Sequence, residues 1–343
     1  MEVRAKKALG QHFLTDQSIA KRIVASLSVL ANGDSSILAG GDSSVLAGGD
    51  SSVFDGGDSS VLAGGDSSVL AGGGLSVVAG GSPSVISSGG EAGVEKSPVL
   101  EIGPGMGVLT QYLLRREDID LKAVEVDGES VDYLLTHFAG MQGRLLQADY
   151  LRLDMNRVFS GPYRIIGNFP YNISSQIFFK ILDDKDRVPE VVCMIQKEVA
   201  ERIAEKPGSK TYGILSVLLQ AWYDIEYLFT VGPGAFAPPP KVQSAVIRLT
   251  RNGRTSLGCD EKLFKTVVKT AFNQRRKTLR NALKPLLAQR PGASSSSFPA
   301  QNGNLQVSAA AIPEDVSSML DLRAERLGVE DFILLTNAIT AVG

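Results

Sequence analysis

The sequence predicts an α/β fold: a Rossmann-like, largely parallel sheet followed by a small C-terminal helical domain. Three observations carry this. Apolar runs of strand length alternate with amphipathic helical segments from residue 97 to about 250. The first run, "PVLEIG", leads into a glycine-rich turn that opens a helix. Beyond about residue 255 only helical periodicity is found. Alternating strands and helices bury a parallel sheet on both faces, so its strands read as continuous apolar runs.

In chain order, "AKRIVASLSVL" (20–30) reads as an amphipathic helix, "PVLEIG" as a buried strand and "VLTQYLLRR" as a helix. "LKAVEV" is the next strand, "SVDYLLTHF" a helix, and "RLLQAD" and "YRIIGN" two further strands. "SSQIFFKILDD" is helical and "EVVCMIQ" a strand. "KEVAERIAE" and "YGILSVLLQAWY" are helices, and "EYLFTV" and "SAVIRLT" complete the sheet. The helical end comprises "EKLFKTVVKTAF", "RRKTLRNALKPLLA", "PEDVSSML" and "VEDFILLTNAI", interrupted by the polar "QRPGASSSSFPAQNGN".

At 343 residues the chain can hold one large domain and a smaller one. Residues 33–95 stand apart. "GGDSSVLA" recurs there with a period of eight, placing Asp34, Asp42, Asp50, Asp58 and Asp66 in register. Gly, Ser and Asp in each unit predict a linker-like insert without a packed core, while the repeated Val-Leu pair permits a rival reading as a small stacked coil of short strands. The expected organisation is an N-terminal segment and helix at 1–32, the insert at 33–95, a catalytic domain at 96–254 and a helical domain at 255–343. The insert contains eight acidic residues and no Lys or Arg, so the net charge of −2 conceals a remainder of 35 basic against 29 acidic residues. That net +6 fits either a local basic face for a polyanion or an ordinary mixed surface, and charge alone does not decide between them. No apolar run reaches membrane-spanning length. Two cysteines, Cys193 and Cys259, give no disulfide framework, which fits a reducing cytoplasm.

"EIGPGMG" sets Gly103, Gly105 and Gly107 at the carboxyl edge of the sheet, where glycine lets backbone approach a ligand. Glu125 ends the next strand and is placed to accept from both hydroxyls of a ribose. Asp149 ends the third, either to accept from an adenine amino group or to cap its own loop. The glycines run G-x-G-x-G with Val108 where a dinucleotide fingerprint needs glycine. "NFPYNI" then interrupts a strand with Pro170, which lacks an N–H and holds Phe169 extended. A rigid corner between an amide and a tyrosine suits a pocket that accepts hydrogen bonds from an amino group and clamps a flat ring.

This series of glycine turn, ribose-type acid, Asp and Asn-x-Pro-Tyr resembles the S-adenosylmethionine-dependent adenine-N6 methyltransferases. "KKALGQHFLTD", "IQKEVAERI", "KTYGILSVLLQ", "FAPPPKVQSAVIRL" and "AFNQRRKTLRNAL" narrow the likeness to the small-subunit (16S) rRNA adenine-N6,N6 dimethyltransferases, the KsgA family. The likeness covers residues 5–30, 97–288 and the end piece "RAERLGVEDFILLTNAI". It implies S-adenosyl-L-methionine as cofactor, held by His12, Leu14, Gly103, Gly105, Glu125, Asp149 and Asn168. Many members have Asn at the position of His12, and most have a short connection in place of 33–95. Asn168 and the carbonyl of Phe169 would accept from the target amine, Pro170 would aim that carbonyl, and Tyr171 with Phe236 would wall the flipped base. The implied substrate is a pair of adjacent adenosines near the 3′ end of 16S rRNA within the small (30S) subunit, each methylated twice by a monomeric cytoplasmic enzyme. Arg275, Arg276, Lys277 and Arg280, with Lys284 beyond, are the expected phosphate contacts. No metal is expected.

Overall fold

In a computed structural model, the residues described are 6, 10–28, 96–288 and 314–341. The repeat segment and the polar stretch after 288 lie outside them.

A seven-stranded mixed sheet organises the chain. Its strands are β2 (Ser97–Ile102), β3 (Ile119–Glu125), β4 (Leu145–Gln147), β5 (Arg164–Asn168), β6 (Glu190–Gln196), β7 (Tyr223–Val231) and β9 (Ser244–Arg251), in the order β4-β3-β2-β5-β6-β9-β7. The first five are mutually parallel, and the last two join antiparallel. A two-residue strand β1 (Phe13–Leu14) pairs outside this sheet with β8 (Phe236–Ala237).

Strand alternation sends apolar side chains to both faces. Leu100, Ile165, Val191, Cys193 and Ile195 enter one cluster, covered by α4 (Ser174–Asp183), α5 (Lys197–Ala204) and α6 (Ile214–Gln220). Val99, Ile166, Val192 and Met194 enter the other, beneath α1 (Gln17–Ala25) and α2 (Thr110–Leu113). Each fully buried aliphatic side chain contributes roughly 1.5–3 kcal/mol from removal of apolar surface from water. Between β3 and β4 lies α3 (Gly128–His137).

The helical end comprises α7 (Glu261–Asn273), α8 (Leu279–Ala282), α9 (Lys284–Ala288), α10 (Glu314–Met319) and α11 (Val329–Ala341). Phe264, Val267, Phe332 and Leu335 continue the same apolar cluster that α6 covers.

Several elements differ from the sequence expectation. Helix α1 starts at Gln17 because Asp16 caps it, its side chain accepting from the amides of Ser18 and Ile19. The stretch "RRKTLRNALKPLLA" is not one helix. Residues 274–277 turn, and the amides of Leu279 and Arg280 donate to the carbonyls of Leu322 and Leu320, starting α8 against another segment. Strand β7 begins three residues early, at Tyr223, and has a bulge between Tyr227 and Phe229. A bulge on an edge strand discourages pairing with other chains.

At the amino ends of the strands the chain leaves the described fold at Ser28 and re-enters at Lys96. The Ser28 amide and hydroxyl donate to Glu190, while its carbonyl accepts from Arg116 and Arg164. Across β2, the Ser97 amide donates to the carbonyl of Asp118.

Candidate active site

Strand order reverses between β2 and β5, which opens a crevice at the carboxyl ends of these strands. A cleft of about 250 Å³ occupies it. Of the sequence-predicted residues, His12, Leu14, Gly103, Gly105, Glu125, Asp149, Asn168, Phe169, Pro170 and Tyr171 all line this cleft.

The glycine turn holds positive φ at Gly103, Gly105 and Gly107 (66°, 56° and 77°), which a Cβ would strain. Its geometry turns the Gly105 amide onto Glu125 Oε2 at 3.0 Å. Glu125 Oε1 accepts from the amides of Val126 and Asp127 at 2.9 and 3.0 Å. The carboxylate therefore knits the turn to the end of β3, and among the described residues Oε2 accepts a single hydrogen bond. Burial pushes the Glu125 carboxyl upward. Asp149 caps its own loop, Oδ1 accepting from the Leu151 amide at 2.9 Å, and the residue also lines the cleft.

Glu101 is a cleft residue that the motifs did not reveal. It is 1% exposed, and one oxygen accepts from the Thr110 hydroxyl at 2.7 Å. Burial raises its pKa to about 8. A carboxylate inside the apolar run "PVLEIG" was the available signal, since acids are almost never buried without purpose.

At the end of β5, Asn168 Nδ2 donates to the main-chain carbonyl of His12 at 3.1 Å. A carbonyl can only accept, so the amide must present its nitrogen there and its Oδ1 elsewhere. Phe169 is 1% exposed, with its ring edge-on to Phe178 and its amide donating to the Met194 carbonyl. Its own carbonyl has no hydrogen-bond partner among the described residues. The Ile173 amide donates to the Pro170 carbonyl and closes the corner. The Tyr171 hydroxyl is paired with Ser244, and burial raises its pKa.

Phe236 is placed elsewhere. It is 4% exposed, its backbone pairs with Leu14, and its ring belongs to the cluster with Leu14 and Ala235. It does not line the cleft, and His12 is the ring found beside Tyr171, with centroids 5.6 Å apart.

The expected phosphate contacts divide. Arg275 donates to the carbonyls of Lys210 and Tyr212, and Arg280 pairs with Asp321. Arg276 and Lys277 have no ion-pair partner among the described residues and stand at the exposed turn before α8.

The ribosomal RNA adenine dimethylase family model matches residues 85–307. The chain belongs to this family. It is 58% identical to ribosomal RNA small subunit methyltransferase A of Parabacteroides distasonis, over 97% of this chain and 93% of that one. Identity to the protein of the same name from Cytophaga hutchinsonii is 42%, over 99% and 98%. Among solved structures, a dimethyladenosine transferase from Plasmodium falciparum shares the fold, with a TM-score of 0.56 at 22% identity over 73% of this chain and 94% of that one. The dimethylase is thus a methyltransferase that uses S-adenosyl-L-methionine. The cleft suits that cofactor: a Cβ at Gly103 would meet nothing within 4 Å, so backbone there can approach a ligand closely, and the carboxyl groups of Glu125 and Asp149 line the same space.

Proposed function

We propose that the chain dimethylates the N6 amines of two adjacent adenosines in the loop of the 3′-terminal helix of 16S rRNA, on the small (30S) subunit, as a cytoplasmic monomer. The orientation of the Asn168 amide is the observation that carries this reading.

Bound S-adenosyl-L-methionine supplies an electrophilic methyl carbon on a sulfonium. Adenine N6 is a weak nucleophile because its lone pair is delocalised into the ring. With Nδ2 held by His12, Asn168 Oδ1 accepts one N–H of the amine in the first transfer and the carbonyl of Phe169 accepts the other; in the second transfer the monomethylated amine has a single N–H for this pair of acceptors. These bonds favour a pyramidal nitrogen with its lone pair directed at the methyl. The dipoles are fixed before substrate arrives, so they cost no reorganisation during transfer. Tyr171 stacks on the extruded base, its plane set by the bond to Ser244. No strong base is required, because the methylated ammonium is acidic. Arg276 and Lys277 contact phosphate, while Arg275 and Arg280 brace the surface behind them.

In vitro methylation of isolated small subunits from a deficient strain, followed by nucleoside mass analysis, tests this. The expected product is N6,N6-dimethyladenosine at two neighbouring positions. Labelling confined to 23S rRNA, or no dimethyladenosine at all, overturns the proposal.

A further inference from the structure

We propose that His12 is a positioning residue for the transfer step, with its imidazole fixing the main-chain carbonyl that orients the Asn168 amide. This rests on the function proposed above.

His12 lies in a short strap, residues 10–15, that lines the cleft. At one end Lys6 forms ion pairs with Asp127 and Glu129, and its carbonyl and amide engage Gln11. At the other, β1 pairs with β8, and both the amide and hydroxyl of Thr15 donate to the Ala235 carbonyl. Between these anchorages His12 makes three contacts. Its carbonyl accepts from Asn168 Nδ2 at 3.1 Å, its Nδ1 lies 2.9 Å from the Pro238 carbonyl, and its ring is stacked on Tyr171.

The Pro238 oxygen only accepts, so Nδ1 carries the proton. The side chain therefore ties the strap to the segment after β8, and the tie fixes where the His12 carbonyl stands. That carbonyl decides which way Asn168 points Oδ1. One side chain thus links the cofactor side of the cleft to the atoms that grip the target amine. The functional part of the imidazole is its Nδ1–H, attached directly to Cγ. The Nδ2 of an asparagine occupies the same branch position, so asparagine preserves the tie and alanine removes it.

His12→Ala and His12→Asn should be compared with wild type in single-turnover methylation of small subunits, with donor affinity by calorimetry and Tm by thermal unfolding. For His12→Ala the expected result is a loss of at least ~10-fold in the transfer rate, since small misplacements of reacting groups are costly. The rate is read at saturating donor, so any change of donor Kd at this cleft residue is separated from the transfer step, and Tm should stay close to wild type. His12→Asn should recover most of the rate. An alanine variant that transfers at the wild-type rate overturns the proposal. So does an asparagine variant as slow as alanine, which would assign the effect to the ring. Wild-type protein that transfers no methyl to small subunits would instead sink the underlying function.

Discussion

Asn168 has two oxygen-facing options and only one is open, because the His12 carbonyl takes its nitrogen. Asn168→Ala should therefore leave donor affinity within a few-fold and lower turnover by at least ~10²-fold, a loss typical of one preorganised polar group. Turnover at the wild-type level, measured beside calorimetry, would remove Asn168 from the chemistry. Glu101 offers a second test. Burial holds its carboxyl protonated up to pH of about 8, whereas the same group in the unfolded chain ionises near 4.5. The folded apo-protein then binds more protons across that interval, so this residue's contribution to stability is full below about 4.5 and declines as pH rises through 8. Glu101→Gln keeps the shape without the proton. Its Tm should match wild type near pH 5 and exceed it at pH 8.5, by an amount corresponding to a few kcal/mol. Equal Tm values at both pH values would contradict the burial cost assigned to it.

Among elements, the glycine inside β5 illustrates how a strand can be shaped by its neighbour. A Cβ at Gly167 would lie 2.5 Å from the Ile102 carbonyl oxygen on β2, a backbone atom that cannot give way cheaply. Gly167→Ala should wedge β5 from β2 directly below Asn168, costing roughly 1–3 kcal/mol of stability and much of the activity. Urea unfolding together with the methylation assay measures both; an unperturbed variant would show that the strands can part without consequence. Legibility in the sequence also divides by element. β6 was readable residue for residue, since its five inner positions, Val191 to Ile195, are all apolar, as in a strand buried on both faces. The G-x-G-x-G turn and Asn-x-Pro-Tyr corner were readable because their chemistry is local. The β1–β8 bridge was not: two residues carry no periodicity, and their partners lie more than two hundred positions apart. Phe236 was misplaced for the same reason, its neighbours being decided by that bridge. The start of α8 was equally hidden, because its first amides are satisfied by carbonyls of residues 320 and 322.

For the whole molecule, the basic end and the repeat segment make separable predictions. Arg276 and Lys277 are free of ion pairs among the described residues, so replacing either by Ala should weaken binding to small subunits. Each should also reduce the slope of log affinity against log salt by about 0.7–0.9, as expected for one lost phosphate contact. An unchanged slope would place the RNA elsewhere. Deleting residues 36–90 should leave methylation of isolated small subunits largely intact, read by the same nucleoside analysis; a protein that no longer folds would show that the segment is structural. The reason lies in where the chain departs and returns. Ser28 is gripped by Glu190, Arg116 and Arg164, and Ser97 is fastened to Asp118, both at the strand-start edge. The reactive corner sits at the opposite rim, beyond the six residues of β2, about 20 Å at strand rise. This makes the Ser28–Lys96 seam a natural splice point, where a reporter or purification module can be grafted with the methyl-transfer machinery left undisturbed.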